Sequence, residues 1–282
     1  MTALVPTELG GLHVQDRGPA DGAVALLWPS LFSDGETSWG PQLPVLHELG
    51  WRTLLVDPPG TGQSPPATRL FTMEECSEAA VAVLDAAGVD RAALLGLSWG
   101  GFVALRVALA TPQRVTALVL SNTSARRMSP RERRRDRLLS SIVRLGIPGG
   151  PGRLVVAGML SEDSRRRDPA FAAQFAHGVN QLDKPGLARA MRSVLAERTS
   201  VADELDRIAA PALVIAGAED PAFPPVHAQE LADRIPGARL ETLPRVGHLA
   251  PREAPVAVTN LLKSFLAPLA SYAHLDLPTS SR

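Results

Sequence analysis

The chain has 282 residues, of which 45% are hydrophobic and 21% charged, with 29 basic side chains against 29 acidic ones and no net charge. That length and apolar content support a sizeable core without metal or disulfide staples, and a single cysteine, Cys76, excludes an internal disulfide. The balanced charge lacks the global basic footprint of a protein that binds nucleic acid or an anionic membrane, so neither is an expected partner.

Met1 to Leu12 contains no basic segment followed by a long apolar run, and no window reaches the roughly eighteen uninterrupted apolar residues needed to span a bilayer. A cytoplasmic location is the resulting expectation. Ala23–Trp28, Thr53–Asp57, Ala92–Leu97 and Val115–Leu120 are short, nearly continuous apolar runs that end in turn-forming residues, the pattern of buried parallel strands. Between them, Gly40–Leu49, Thr72–Ala87 and Trp99–Ala110 read as helices. Thr72 with Glu75 three residues on has the form of a capping box. Cys76 lies inside that second helix, where a small buried residue is expected, since no flanking basic residue would stabilise a thiolate. Such strand–helix alternation predicts a parallel sheet with helices on both faces.

The pattern changes after Asn122. From Ala125 to about Arg207 there are helical segments and no convincing strand. Arg131 to Arg137 reads as the solvated face of a helix, although its arginines also invite an anionic substrate. Leu138, Leu139, Ile142, Val143 and Leu145 would give that helix an apolar side, ended by the Pro/Gly-rich stretch Ile147 to Gly152. Arg165 to Asp168 reads as a loop. Strand–helix order resumes at Ala212–Ala216, Pro225–Ile235, Arg239–Leu243 and a last helix, Arg252–Leu266. The simplest division is an α/β core at 1–123 and 208–268, a helical cap at 124–207 and a poorly ordered tail at 269–282. No internal repeat is present.

The strand Ala92–Leu97 runs into Gly96-Leu97-Ser98-Trp99-Gly100-Gly101 and then a helix, the setting of a nucleophile elbow. A tight turn there lifts the Ser98 hydroxyl above the sheet and places the Trp99 amide, at the helix start, where it can stabilise an oxyanion. A serine needs a base and an orienting carboxylate. His248, in Val246-Gly247-His248-Leu249-Ala250, follows the last predicted strand, and Asp220, in Gly217-Ala218-Glu219-Asp220-Pro221, follows the strand before it. Glu219 is the alternative acid. All three members lie beyond the carboxyl ends of strands, where open α/β sheets build their sites. His13 and His274 near the termini, and His47 and His227 in outer helices, read as surface or core residues. His177, in the insertion, is read the same way, with substrate contact as the alternative. Asp57, in Asp57-Pro58-Pro59-Gly60-Thr61-Gly62-Gln63-Ser64, reads as a residue that fixes its own loop.

These motifs together resemble the α/β-hydrolase superfamily with a helical cap, over the whole chain. The segment Gly88 to Thr123, with Leu95-Gly96-Leu97-Ser98-Trp99-Gly100-Gly101 and Val119-Leu120-Ser121-Asn122-Thr123, is similar to 3-oxoadipate enol-lactonases and related small-molecule esterases. The resemblance implies an eight-stranded, mostly parallel sheet, with Ser98 as nucleophile, His248 as base and Asp220 as its orienting acid. Most relatives carry His-Gly after the third strand, whereas this chain has Trp28-Pro29-Ser30-Leu31-Phe32. Enol-lactonases have Asn-Ser-Leu there, so the register implies Leu31 as the second oxyanion amide beside Trp99, with Phe32 as the alternative. Serine rather than aspartate at position 98 separates the chain from haloalkane dehalogenases and epoxide hydrolases. No metal or cofactor pattern appears, because Gly60-Thr61-Gly62 lacks the further glycine and helix of a dinucleotide site.

The expected function is therefore cofactor-independent hydrolysis of a small ester, thioester or lactone, with a small-molecule carbonyl compound as partner and a homodimer as an open alternative. Carbon–carbon bond cleavage, acyl transfer and perhydrolysis would use the same residues, and a non-catalytic ligand-binding protein is the reading from another class. Phe32, Leu138 and Met159 are the candidate pocket residues. Leu139, Val155, Leu160 and Phe171 serve either the pocket or packing.

Overall fold

The computed structural model describes residues Thr2 to Ala270. Eight strands form one sheet: β1 (Thr2–Thr7), β2 (Gly10–Arg17), β3 (Ala23–Trp28), β4 (Trp51–Asp57), β5 (Ala92–Leu97), β6 (Val115–Ser121), β7 (Ala212–Gly217) and β8 (Arg239–Leu243). Their spatial order is β1-β2-β4-β3-β5-β6-β7-β8. β1 and β2 pair antiparallel, as do β2 and β4, and every later pairing is parallel. β3 and β5 occupy the ranges predicted from their apolar runs. The hairpin β1–β2 was not among the expected strands, because only Val5, Leu12, His13 and Val14 with neighbouring Leu9 are buried there and the rest faces water.

Successive strand residues point to opposite faces, so the sheet divides the core in two. One layer gathers Leu26, Leu54, Leu94, Leu118 and Val214. The other gathers Leu27, Leu55, Leu95, Val119 and Ile215. The helices α3 (Met73–Ala86), α4 (Trp99–Ala110) and α10 (Val226–Arg234) cover the first layer through residues such as Val83, Phe102 and Leu231. On the second layer lie α2 (Leu43–Glu48) and α12 (Pro255–Ala270), with Leu46, Val258 and Leu262, preceded by the short α1 (Gly35–Trp39) and α11 (Ala250–Glu253). Thr72 caps α3 with both bonds of the predicted box, to and from Glu75. The last predicted helix is split, because Pro255 cannot donate a backbone hydrogen bond and the preceding Ala254 is driven out of helical geometry (φ −134°, ψ 60°). α12 continues to Ala270, past the expected start of the tail at 269. The remainder of the expected tail, 271–282, lies outside the described residues.

Between β6 and β7 the described chain is helical: α5 (Pro130–Leu145), α6 (Gly152–Met159), α7 (Glu162–Arg167), α8 (Pro169–Gln181), α9 (Lys184–Met191) and a π-helical turn, Arg192–Glu197. The segment expected as a loop, Arg165 to Asp168, is instead the last turn of α7 and the cap of α8. Ser161 accepts from the Ser164 amide to start α7, and its three closing arginines suit a helix C-terminus. The expected apolar side of α5 is mostly not inward. Asp136, Ser140 and Val143 form its buried stripe, while Leu138, Leu139, Ile142 and Leu145 are exposed.

Candidate active site

Pairing Leu97 with Ser121, Ser121 with Ile215 and Gly217 with Leu243 aligns the carboxyl ends of four neighbouring strands. The loops leaving those ends carry Ser98, Asn122, Asp220 and His248 to one edge of the sheet. Ser98 is buried and holds φ 55°, ψ −106°, a conformation rarely adopted by a side chain other than glycine. The surrounding contacts over-determine it. Its N–H donates to the Ser121 carbonyl at 2.9 Å. Its own carbonyl accepts from Gly101 N at 2.9 Å and from Thr123 Oγ1 at 2.8 Å. Gly100 N donates to Pro29 O at 3.2 Å, and a Cβ at Gly100 would run into the Trp28 carbonyl. Trp99, the first residue of α4, is fully buried with its indole stacked on Phe71 and edge-on to Trp28. Its backbone N–H heads the helix, where no carbonyl of the same helix can reach it.

His248 and Asp220 meet directly. His248 Nδ1 lies 2.9 Å from Asp220 Oδ2 and 3.1 Å from Oδ1, and both residues are under 5% exposed. A carboxylate on Nδ1 holds the proton there and leaves Nε2 as the acceptor. Asp220 Oδ1 also accepts from Ala222 N at 2.8 Å and Phe223 N at 2.9 Å, and Phe223 packs against the imidazole with centroids 5.5 Å apart. Glu219, the alternative acid, is exposed and does not reach the histidine.

Two residues that sequence reasoning passed over hold this arrangement. Asn122, at φ 48°, donates from Nδ2 to Asp220 Oδ2 at 3.0 Å and to Gly247 O at 2.9 Å. Glu253, buried on α11, accepts from the amides of Gly247, Leu249 and Ser161 at 2.8 to 3.0 Å. It thereby ties the His248 loop to α11 and to the inserted helices. The His248 amide itself donates to Met159 O at 2.6 Å.

The other described histidines lie elsewhere, and His274 falls outside the described residues. His13 Nδ1 pairs with Asp57 Oδ2 at 2.8 Å, and the same carboxylate accepts from Gly35 N and Gln63 N, so Asp57 does fix its own loop. His47 bonds Thr53 and His227 bonds Ser124, and burial lowers the pKa of both. His177 lines a separate hollow with Arg153, Arg165 and Asn180. Cys76 is fully buried, and that burial pushes its thiol well above the ordinary range.

A cavity of about 490 Å³ adjoins the turn after β3, between α1, the Thr61–Gly62 loop, α8 and α11. Phe32 lines it, as does Phe171. Leu138 does not: it is 63% exposed, because the turn of α5 that points Asp136 and Ser140 inward sends Leu138 to solvent. Met159 packs among Val156, Phe171 and Phe175 and touches the site through its carbonyl. Leu31 is buried in the core beneath the turn, and Phe32 has the unusual φ of 73°.

The family profile of the alpha/beta hydrolase fold matches residues 26–255. The chain is 32% identical over 261 residues to RutD of Variovorax paradoxus, which is named as a candidate carbamate hydrolase, with 91% of this chain and 96% of that one covered. It is 29% identical over 285 residues to a 2-hydroxy-6-oxononadienedioate/2-hydroxy-6-oxononatrienedioate hydrolase of Cupriavidus pinatubonensis, covering 90% of each. Among solved structures, the enol-lactonase from Burkholderia xenovorans superposes with a TM-score of 0.85 at 27% identity, over 94% of this chain and 99% of that one.

Proposed function

This chain belongs to the alpha/beta hydrolase family, and from that premise we propose a cofactor-independent serine hydrolase acting on a small ester, thioester or lactone. The observation that carries the reading is the buried Asp220–His248 pair, set on strand ends at the same sheet edge as a serine held in an elbow. Ser98 attacks the carbonyl carbon while His248 Nε2 takes its proton, and Asp220 holds the imidazole and stabilises its charged form. Negative charge collects on the former carbonyl oxygen, where the Trp99 amide donates to it. A second amide comes from the turn after β3, at Leu31 or Phe32. Collapse expels the leaving group with the proton from His248, giving an acyl group on Ser98. Water, activated by the same histidine, releases the acid.

Hydrolysis of a carbon–carbon bond beside a carbonyl is the second reading, and the likeness to the oxononadienedioate hydrolase supports it. The likeness to RutD adds carbamates to the compounds worth screening. Ser98→Ala is expected to lower turnover of any accepted substrate by about ten-thousand-fold or more, with an unchanged circular dichroism melt. Wild-type-like turnover in that folded variant would remove Ser98 from the chemistry. A series of p-nitrophenyl esters of rising chain length, run against lactones and carbamates, then distinguishes the bond classes.

A further inference from the structure

Charge that cancels over the whole chain does not cancel along α5 and α6. Residues 130–159 carry seven arginines against two acidic residues, Glu132 and Asp136. Both carboxylates are engaged. Glu132 accepts from the Ser129 amide in the capping box of α5, and the buried Asp136 takes the adjoining Arg135 at 2.9 Å. Arg133 and Arg137 reach Ala196 O and the Glu197 carboxylate. Arg131, Arg134, Arg144 and Arg153 are left with no ion pair or hydrogen bond to any described residue.

The same helices hold an apolar patch that the fold leaves in water. Residues 131, 134, 135, 138, 142 and 145 recur at three- and four-residue spacing, so they share the side of α5 opposite Asp136, Ser140 and Val143. Arginines occupy the first two turns of that side and Leu138, Ile142 and Leu145 the last two. Leu138 is 63% exposed and Leu145 87%, with Leu139 and Ile142 also exposed, and Leu154 on α6 adds 66%. Five of the nine large hydrophobic side chains exposed among the described residues thus fall in these two helices, which is a patch rather than scatter. Ile147 and Leu154 continue it into an open hollow whose wall also carries Arg153 and Arg165.

Exposed leucines call for an apolar cover, and cations without a partner call for anions. A second copy of this chain supplies the first and not the second. Two-fold pairing would bring these arginines against their own equivalents, with no available carboxylate on that side of α5 to meet them. An anionic bilayer surface supplies both, since phosphate headgroups take the guanidinium groups while the leucines enter the acyl boundary.

We propose that the outer side of α5, with Leu154 of α6, docks the protein on an anionic phospholipid surface. The contact is peripheral, because no described helix is long and apolar enough to cross a membrane. None of these residues belongs to the Ser98, Asp220 and His248 loops, so the contact is independent of the proposed hydrolysis.

Cosedimentation of the full-length protein with lipid vesicles tests it. Binding to phosphatidylcholine vesicles containing about one-third phosphatidylglycerol is expected to be about tenfold tighter than to phosphatidylcholine alone, and to weaken as salt is raised. The paired substitutions Leu138→Ser with Leu145→Ser, and Arg131→Gln with Arg134→Gln, are each expected to weaken binding about tenfold. All four side chains are exposed, so both variants should keep the wild-type circular dichroism melt and the wild-type rate of fluorophosphonate labelling. Leu145→Ser alone, at the most exposed position, serves if a paired variant fails to fold. Wild-type protein that ignores the anionic vesicles or binds neutral ones equally, or folded variants that bind as wild type does, would overturn the proposal. A wild-type dimer that the leucine substitutions dissolve, without vesicle binding, overturns it in favour of a second copy. Retention on polyglutamate without vesicle binding overturns it in favour of an acidic protein partner.

Discussion

Asn122 shows how much of a site can rest on one amide. Its Nδ2 group joins the carboxylate of Asp220 to the carbonyl of Gly247, so two of the loops that must converge are fastened by a residue from a third strand. Asn122→Ala would remove both bonds and leave an alanine at φ 48°, and displacement of the Asp220–His248 pair by a fraction of an ångström is expected to lower kcat by about a hundredfold. Asn122→Gly relieves the backbone while still deleting the bonds. If the bonds are what matters, its kcat falls with that of the alanine variant, whereas recovery of wild-type kcat would assign the effect to backbone strain. Ser98, Asp220 and His248 stood out in the sequence because each lies at a strand end in a local motif. Asn122 and Glu253 did not, since their roles depend on where distant loops arrive.

At the level of elements, the elbow depends on backbones that nearly touch. β3 and α4 approach so closely at Gly100 that an added methyl would meet the Trp28 carbonyl. Gly100→Ala is expected to cost about 3 kcal/mol in urea unfolding, as a forced backbone shift in a packed core. A midpoint equal to wild type would mean that α4 can slide away from β3. The buried parallel strands were readable because both faces are covered and each becomes an apolar run. The N-terminal hairpin lacked that signal, being an edge with water on much of its surface, and α7 was masked by its arginines. The leucines of α5 misled for a related reason: periodicity reports that one side is apolar without saying which side is buried. That helix is held to the π-helical turn by charge. Arg137 and then Arg192 keep the Glu197 carboxyl at about 2, down from its ordinary 4.5. A carboxyl depressed in the folded state contributes stability above its unfolded pKa and loses it as pH falls toward the folded one. Between pH about 5 and about 2.5, Glu197→Gln should therefore lose about 1 kcal/mol less stability than wild type, after allowance for solvent screening. Parallel losses in the two proteins, read by urea melts, would show the ion pairs to be unimportant.

Over the whole molecule, a neutral chain carries a surplus of basic side chains in the helical stretch 124–207, between β6 and β7, and a surplus of acidic ones elsewhere. Ser98, Asp220 and His248 come from the sheet-bearing part, while Met159 and Ser161 reach the His248 loop and α11, and the Phe171 ring meets Arg252, from the inserted helices. The architecture was legible from strand–helix alternation broken once by helices alone. The cavity was not, because its walls are drawn from segments far apart in the chain. The proposed hydrolysis depends on a reactive Ser98, and the most direct measurement is peptide mapping of the protein after exposure to a fluorophosphonate. A single phosphonyl adduct is expected on the peptide containing Ser98, absent from Ser98→Ala and strongly slowed in His248→Ala. Folded wild-type protein that acquires no adduct there, or acquires it equally without His248, would contradict the proposed hydrolysis.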